Sequence, residues 1–112
     1  MNVDYRQIGK FDVIYLSGRV DVQKAGEIEK EIYTLIKDHF SGDLIINLRH
    51  VELFSSSGLR ILLSVQRILK EMGRHLKLCE LPPPVKKIFE VVELAHMFDI
   101  YDSEEKALLL SM

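Results

Sequence analysis

Apolar and polar positions change rhythm several times along the chain, and each change marks an element. Val3 to Ile8 is short and weakly patterned, as a strand at a sheet edge would be. Gly9-Lys10 turns the chain, and Phe11 to Leu16 is β-branched and aromatic enough for a second strand, paired with the first as a hairpin. Ser17 to Asp21 reads as a loop. Asp21 can cap the helix that follows, in which Ala25, Ile28, Ile32, Leu35 and Ile36 recur at helical spacing. Glu27, Lys30, Glu31, Thr34 and Lys37 fall on its other face, and it should end near His39-Phe40. Leu44 to Leu48 is apolar on both faces except at Asn47, which suits a central strand covered from both sides or a parallel strand under helices.

A second helix is expected from about Ser57 to Met72, with Gly73 as its stop. His75 to Glu80 alternates and reads as a strand. Pro82-Pro83-Pro84 then opens a third helix with Val85, Ile88, Phe89 and Val92 inward, since proline is tolerated in a first turn. Met97 to Tyr101 reads as a last short strand. Glu104 and Glu105 favour a final helix start after Ser103, and Ala107 to Leu110 closes it. The predicted order is ββαβαβαβα, an α/β sandwich with a mixed sheet. A chain of 112 residues has room for one such core, so one domain is expected over residues 1–112.

The candidate chemistry sits between the central strand and the second helix, in Ser55-Ser56-Ser57-Gly58. Hydroxyls there face free backbone amides and the positive end of the helix dipole, which favour an anion. By themselves the serines read as an ordinary helix cap, and Gly58 as room for a backbone turn. On the helical wheel Ile61, Leu62, Val65, Ile68, Leu69 and Met72 share one half; Arg60, Ser64, Arg67, Lys70, Glu71 and Arg74 share the other. Leu59 and Leu63 fall at the edge of the polar half. Either a neighbouring segment covers them, or they form an apolar contact patch rimmed by Arg60 and Arg67.

Composition narrows the function more than the fold. The formal charge of -2 offers no electrostatic reason for nucleic acid or anionic lipid as a partner. Cys79 is the sole cysteine, so no internal disulfide forms. Polar residues after Met1 and the lack of a long apolar run point to a cytoplasmic protein with no membrane segment. Enzyme motifs are missing. A nucleophile elbow needs a glycine two positions before its serine, and Phe54 stands there relative to Ser56. No phosphate-binding loop motif occurs. His39, His50, His75 and His96 show no metal-ligand spacing. No cofactor is expected. A hydrolase using Ser56 with His50 as base is the enzymatic alternative.

Four pieces of the chain, in order, resemble the STAS domain family and within it the bacterial anti-sigma factor antagonists. These are Leu16-Ser-Gly-Arg-Val-Asp21, Leu44-Ile-Ile-Asn-Leu48, Leu53-Phe-Ser-Ser-Ser-Gly-Leu59 and Pro84-Val-Lys-Lys-Ile-Phe89. The resemblance implies a partner switch. The unphosphorylated protein binds an anti-sigma factor that is itself a serine kinase, and so frees a sigma factor. Phosphorylation, by position at Ser56, releases the partner, and a phosphoserine phosphatase resets the switch. The implied partner surface comprises Asp21, Asn47, Ser55, Ser57, Gly58, Leu59, Arg60 and Leu63. The family's usual Asp before the acceptor is Ser55 here, which leaves adjacent hydroxyls at 55, 56 and 57. A STAS subunit of a signalling or transport assembly, never phosphorylated, is the implied alternative.

Overall fold

Among the described residues five strands form one sheet in the order β1-β2-β3-β4-β5, so each strand lies beside its predecessor. The computed structural model describes residues 2–39, 41–92 and 95–110, with the side chains of Val91, Val92 and Ala95 outside that description. Its elements are β1 (Val3–Ile8), β2 (Phe11–Val20), α1 (Val22–Asp38), β3 (Asp43–Phe54), α2 (Ser56–Glu71), β4 (Leu76–Cys79), α3 (Pro83–Val92), a 3₁₀ turn (Ala95–Met97), β5 (Asp99–Tyr101) and α4 (Glu104–Leu109). The hairpin β1–β2 is antiparallel and the remaining pairs are parallel.

This strand order decides where the helices go. Parallel neighbours need crossovers, and crossovers are right-handed. Successive steps in one direction therefore stack α1, α2 and α3 on the same face. Ile28, Ile32, Leu62, Val65, Leu69, Val85 and Phe89 bury there against Ile14, Leu16, Leu44, Ile46, Leu48 and Leu78. Each such side chain contributes about 1.5–3 kcal/mol of transfer free energy. The other face is covered by α4, whose Ala107 packs on Val13, Ile45 and Cys79. Leu44 to Leu48 is thus apolar throughout because β3 lies between two layers, as its composition predicts.

Several boundaries differ from the sequence expectation. Residues 17–20 are strand, not loop: β2 runs on to Val20, which pairs with Phe54. Ser17-Gly18 punctuates like a turn, but the strand continues: the Ser17 amide donates to the Asn2 carbonyl at 3.0 Å, and its carbonyl accepts from the Asn2 side-chain amide at 2.8 Å. The ten residues of β2 oppose twelve of β3, and the register shifts twice, between Tyr15 and Ser17 and between Gly18 and Arg19. Gly18 has a φ of +74° within this irregular stretch. Met97 belongs to the 3₁₀ turn, leaving a shorter β5, because Phe98 is drawn into the core against Phe89 at 5.5 Å between ring centroids. Met72, expected inward, is half exposed where α2 ends. Val85 and Phe89 are buried and Ile88 is partly so; the side chain of Val92, like Phe40 at the end of α1, lies outside the described residues.

β4 does not alternate between core and solvent. Lys77 and Cys79, on the face away from Leu76 and Leu78, are both buried beneath α4. The Lys77 ammonium donates to the carbonyls of Ala107 and Leu110 at 2.7 and 2.5 Å and lies over the rings of Phe11 and Tyr101. It serves the free carbonyls at the end of α4, which would otherwise lack donors. Burial pushes the Cys79 thiol up to about 12, with the charges of Glu80 and Glu104 adding to it. The thiolate is the reactive form, so a maleimide at pH 8 is expected to leave the native protein unlabelled and to label the urea-unfolded chain rapidly. Equal rates in both states would show that α4 does not shield this face.

Candidate functional site

The site forms where two helices begin side by side. Val20 ends β2 and Phe54 ends β3, and these residues are paired. Asp21 and Ser55 follow them and cap α1 and α2 respectively. The Asp21 carboxylate accepts from the amides of Gln23 and Lys24, both at 3.1 Å, and pairs with Arg19 Nε at 3.2 Å. Partial burial acts to raise the Asp21 pKa. The Lys24 amide, the Arg19 guanidinium and the Gln23 amide outweigh it, so the carboxyl titrates below its usual range. Its contribution to stability is therefore present above the ordinary carboxylate pKa and is lost as pH falls through the lowered folded value.

The serines, equivalent in sequence, are not equivalent in space. Ser55 is structural. Its Oγ accepts from the Ser57 amide at 3.1 Å and donates to the Val20 carbonyl at 3.3 Å, and its own amide donates to the same carbonyl at 3.1 Å. The hydroxyl thus ties α2 to the end of β2, a bond an ionised Asp could not donate. Ser57 is half-buried. Ser56 is the exposed one, at the first position of α2, and among the described residues nothing hydrogen-bonds its side chain. Ser55→Ala should cost about 1 kcal/mol of stability, the usual value for a lost serine cap. Urea denaturation measures this, and an unchanged midpoint would remove Ser55 from the capping role.

Gly58 is buried for a packing reason. A Cβ built there would lie 2.5 Å from Phe54 Cε1 and 2.8 Å from Cδ1 and Cζ. The glycine lets the first turn of α2 press onto the ring that ends β3.

The structure gathers Asp21, Ser55, Ser56, Ser57 and Gly58 at this end of the sheet, with Arg60 exposed one turn along α2. It does not gather the rest. Leu59 is 6% exposed and Leu63 is half-buried against the main core, so of the two readings the covered one holds for Leu59, and the pair forms no patch at the serine end. The buried arc of α2 is wide because the helix packs on α1 as well as on β3 and β4. Asn47 lies on the opposite face of the sheet. Its amide donates to Glu104 at 3.1 Å, and its oxygen accepts from the Arg49 amide at 2.9 Å. Tyr15 shares that corner, where burial and then the Glu104 carboxylate push its phenol up to about 12. His50 is also there, in a shallow depression with Asn47 and Glu104 that does not include Ser56. Among the described residues no cluster of three His, Cys, Asp or Glu could hold a metal.

Two exposed apolar residues at the serine end escaped the sequence reading. Val22 is 77% exposed at the start of α1, and Leu53 is 40% exposed at the end of β3. The signal for Leu53 was its alternation with buried Phe54; Val22, in a polar first turn, gave none.

A strand-ending hydroxyl on a helix start, in a five-stranded mixed sheet with three helices on one face, defines a known class. The STAS domain pattern matches residues 2–107, and the chain belongs to the STAS domain family. A Bordetella bronchiseptica relative described as an anti-sigma factor antagonist, BtrV, is 32% identical over 92 residues, 82% of this chain and 78% of that one. The Bacillus subtilis anti-sigma-B factor antagonist is 27% identical over 105 residues, 94% of each chain. An anti-sigma factor antagonist from Mycobacterium paratuberculosis has the same fold, with a TM-score of 0.85 at 24% identity over 95% of this chain and 89% of that one. Among the described residues no helix is long and apolar enough to cross a membrane.

Proposed function

We propose that this protein is an anti-sigma factor antagonist that works by partner switching. Unphosphorylated, it binds an anti-sigma factor with serine kinase activity and frees a sigma factor in the cytoplasm; phosphorylated at Ser56, it lets the partner go, and a phosphatase restores it. It acts by protein contact, with no catalysis of its own and no contact with nucleic acid or membrane. The observation that carries this reading is the division of labour among the serines. Ser55 is committed to the cap and Ser57 is half-buried, which leaves the Ser56 hydroxyl open to a kinase.

A phosphoserine carries about -1.5 to -2 charges at neutral pH. At the start of α2 it meets the positive end of the helix dipole, so the scaffold tolerates it. The disruption falls on the interface, where the dianion would be desolvated against a partner that also covers Val22 and Leu53. Arg60 and Arg19 rim the surface, whereas Asn47 and Leu59 play no direct part in it.

Incubation with the cognate kinase and ATP, followed by mass spectrometry of the peptide spanning residues 55–57, tests the assignment. One phosphate on Ser56 is expected. Phosphate on Ser55 would overturn the argument from the cap. No phosphate on any of these serines would favour a non-phosphorylated STAS subunit of a larger assembly.

A further inference from the structure

The serine switch occupies one end of α2, and a groove of different chemistry runs along the other. It is a cavity of about 850 Å³ between the C-terminal half of α2, the start of β4 and the 3₁₀ turn leading into β5. Its floor is apolar, made by Leu63, Leu76 and Phe98, with Met97 47% exposed beside it. Its walls are cationic: Arg67 and Lys70 project from α2, and Arg74 follows the end of that helix. His75 and His96 also face it. Among the described residues Asp99 is the only carboxylate in the lining, and it already accepts from the Tyr101 hydroxyl at 2.9 Å. Asp43, nearby, is engaged by the His75 amide at 2.9 Å.

Arg74 fixes a positive charge at one end of this groove. Its Nε donates to the Gly42 carbonyl at 2.8 Å and its Nη1 reaches Met72 Sδ at 3.9 Å, but Nη2 is buried with no partner among the described residues. A buried charged donor without an acceptor is costly. Complementing the negative end of the α2 dipole accounts for Lys70 in the last turn; it explains neither the unserved Nη2 nor the apolar floor. In a chain whose formal charge is -2, this concentration of positive charge is local.

We propose that the groove is a second docking site, which takes an acidic segment of a partner protein bearing an apolar side chain. The carboxylates meet the exposed Arg67 and Lys70 in the field of the fixed Arg74 guanidinium, and the apolar side chain rests on Met97 and the half-buried Leu63. Because the site lies away from Ser56, its occupant and the kinase can be held together, and occupancy is independent of the phosphorylation state.

The test is an NMR titration of the full-length, isotope-labelled protein with a synthetic peptide of alternating glutamate and leucine, against the same peptide with glutamine in place of glutamate. Shift changes are expected on the second half of α2, the start of β4 and the residues around Phe98. Affinity should drop at least about tenfold for the glutamine peptide and for the double variant Arg67→Glu, Lys70→Glu, and should weaken steeply with salt. Ser56→Glu should bind the acidic peptide as wild type does, and the double variant should still be phosphorylated on Ser56, so failure here is distinct from failure of the serine switch. Shifts centred elsewhere, equal affinity for both peptides, or competition by a single-stranded oligonucleotide would overturn the proposal.

Discussion

Glutamate in place of Ser56 is expected to weaken binding of the anti-sigma partner about a hundredfold, some 2.7 kcal/mol, while the melting temperature stays level or rises slightly. The two halves of this result have different causes. Ser56 is exposed and makes no contact that folding depends on, so its replacement removes nothing from the scaffold. A carboxylate at the first position of α2 interacts favourably with the dipole, by about 0.3–1 kcal/mol. The same charge is fatal to a docked interface, where it loses water without gaining a counter-ion. Ser56→Ala separates charge from shape: it should bind as wild type does and resist the kinase. Calorimetric titration with the purified anti-sigma partner reads the affinity, and thermal denaturation reads the stability. Wild-type affinity in Ser56→Glu, or a melting temperature several degrees lower, would refute the mechanism.

The second large effect concerns Gly58, and intrinsic propensity predicts its sign wrongly. Inside a helix alanine is favoured over glycine by about 1 kcal/mol, so Gly58→Ala should stabilise an isolated α2. In the folded protein its Cβ would fall within 2.8 Å of three atoms of the Phe54 ring. That ring is 5% exposed, has little room to swing, and ends the strand that presents the serines. Overpacking of this kind costs about 1–3 kcal/mol, and here it must also cancel the helical gain. We expect Gly58→Ala to be destabilised by about 1–2 kcal/mol and Gly58→Val by more, measured by urea denaturation. Partner affinity should fall with them, since moving Phe54 moves Ser55 and Ser56. An alanine variant at least as stable as wild type would mean that the ring yields freely and that Gly58 is not the contact holding α2 to β3.

Both predictions rest on a site that was partly legible in the residues. Asp21 and Ser55 read as helix caps and are so. The alternation of apolar strands with amphipathic helices specified the sandwich, because periods of 2 and 3.6 residues leave different marks. The ordered motifs around Leu16, Leu44, Leu53 and Pro84 pointed to the STAS domain family, whose pattern matches residues 2–107. Less legible were the positions whose environment depends on a neighbour distant in sequence. Leu59 fell at the edge of the polar half of the wheel, which left its surroundings open, and it is covered. Lys77, in a segment that alternates, is buried and serves the end of α4, 30 residues away. Asn47 stood on the strand leading to the serines, yet it faces Glu104 on the far side of the sheet.

What the chain determined by itself was local: which segments become strand or helix, where they are capped, and that a hydroxyl-bearing turn joins the central strand to an apolar helix. Tertiary structure alone decided which of the adjacent serines meets solvent, which leucines are hidden, and which apolar residues stand at the switch. The physical reason is that periodicity reports only the face of an element. What covers that face follows from strand order and the right-handed crossovers, and these bring Val20 against Phe54 and set the starts of α1 and α2 side by side.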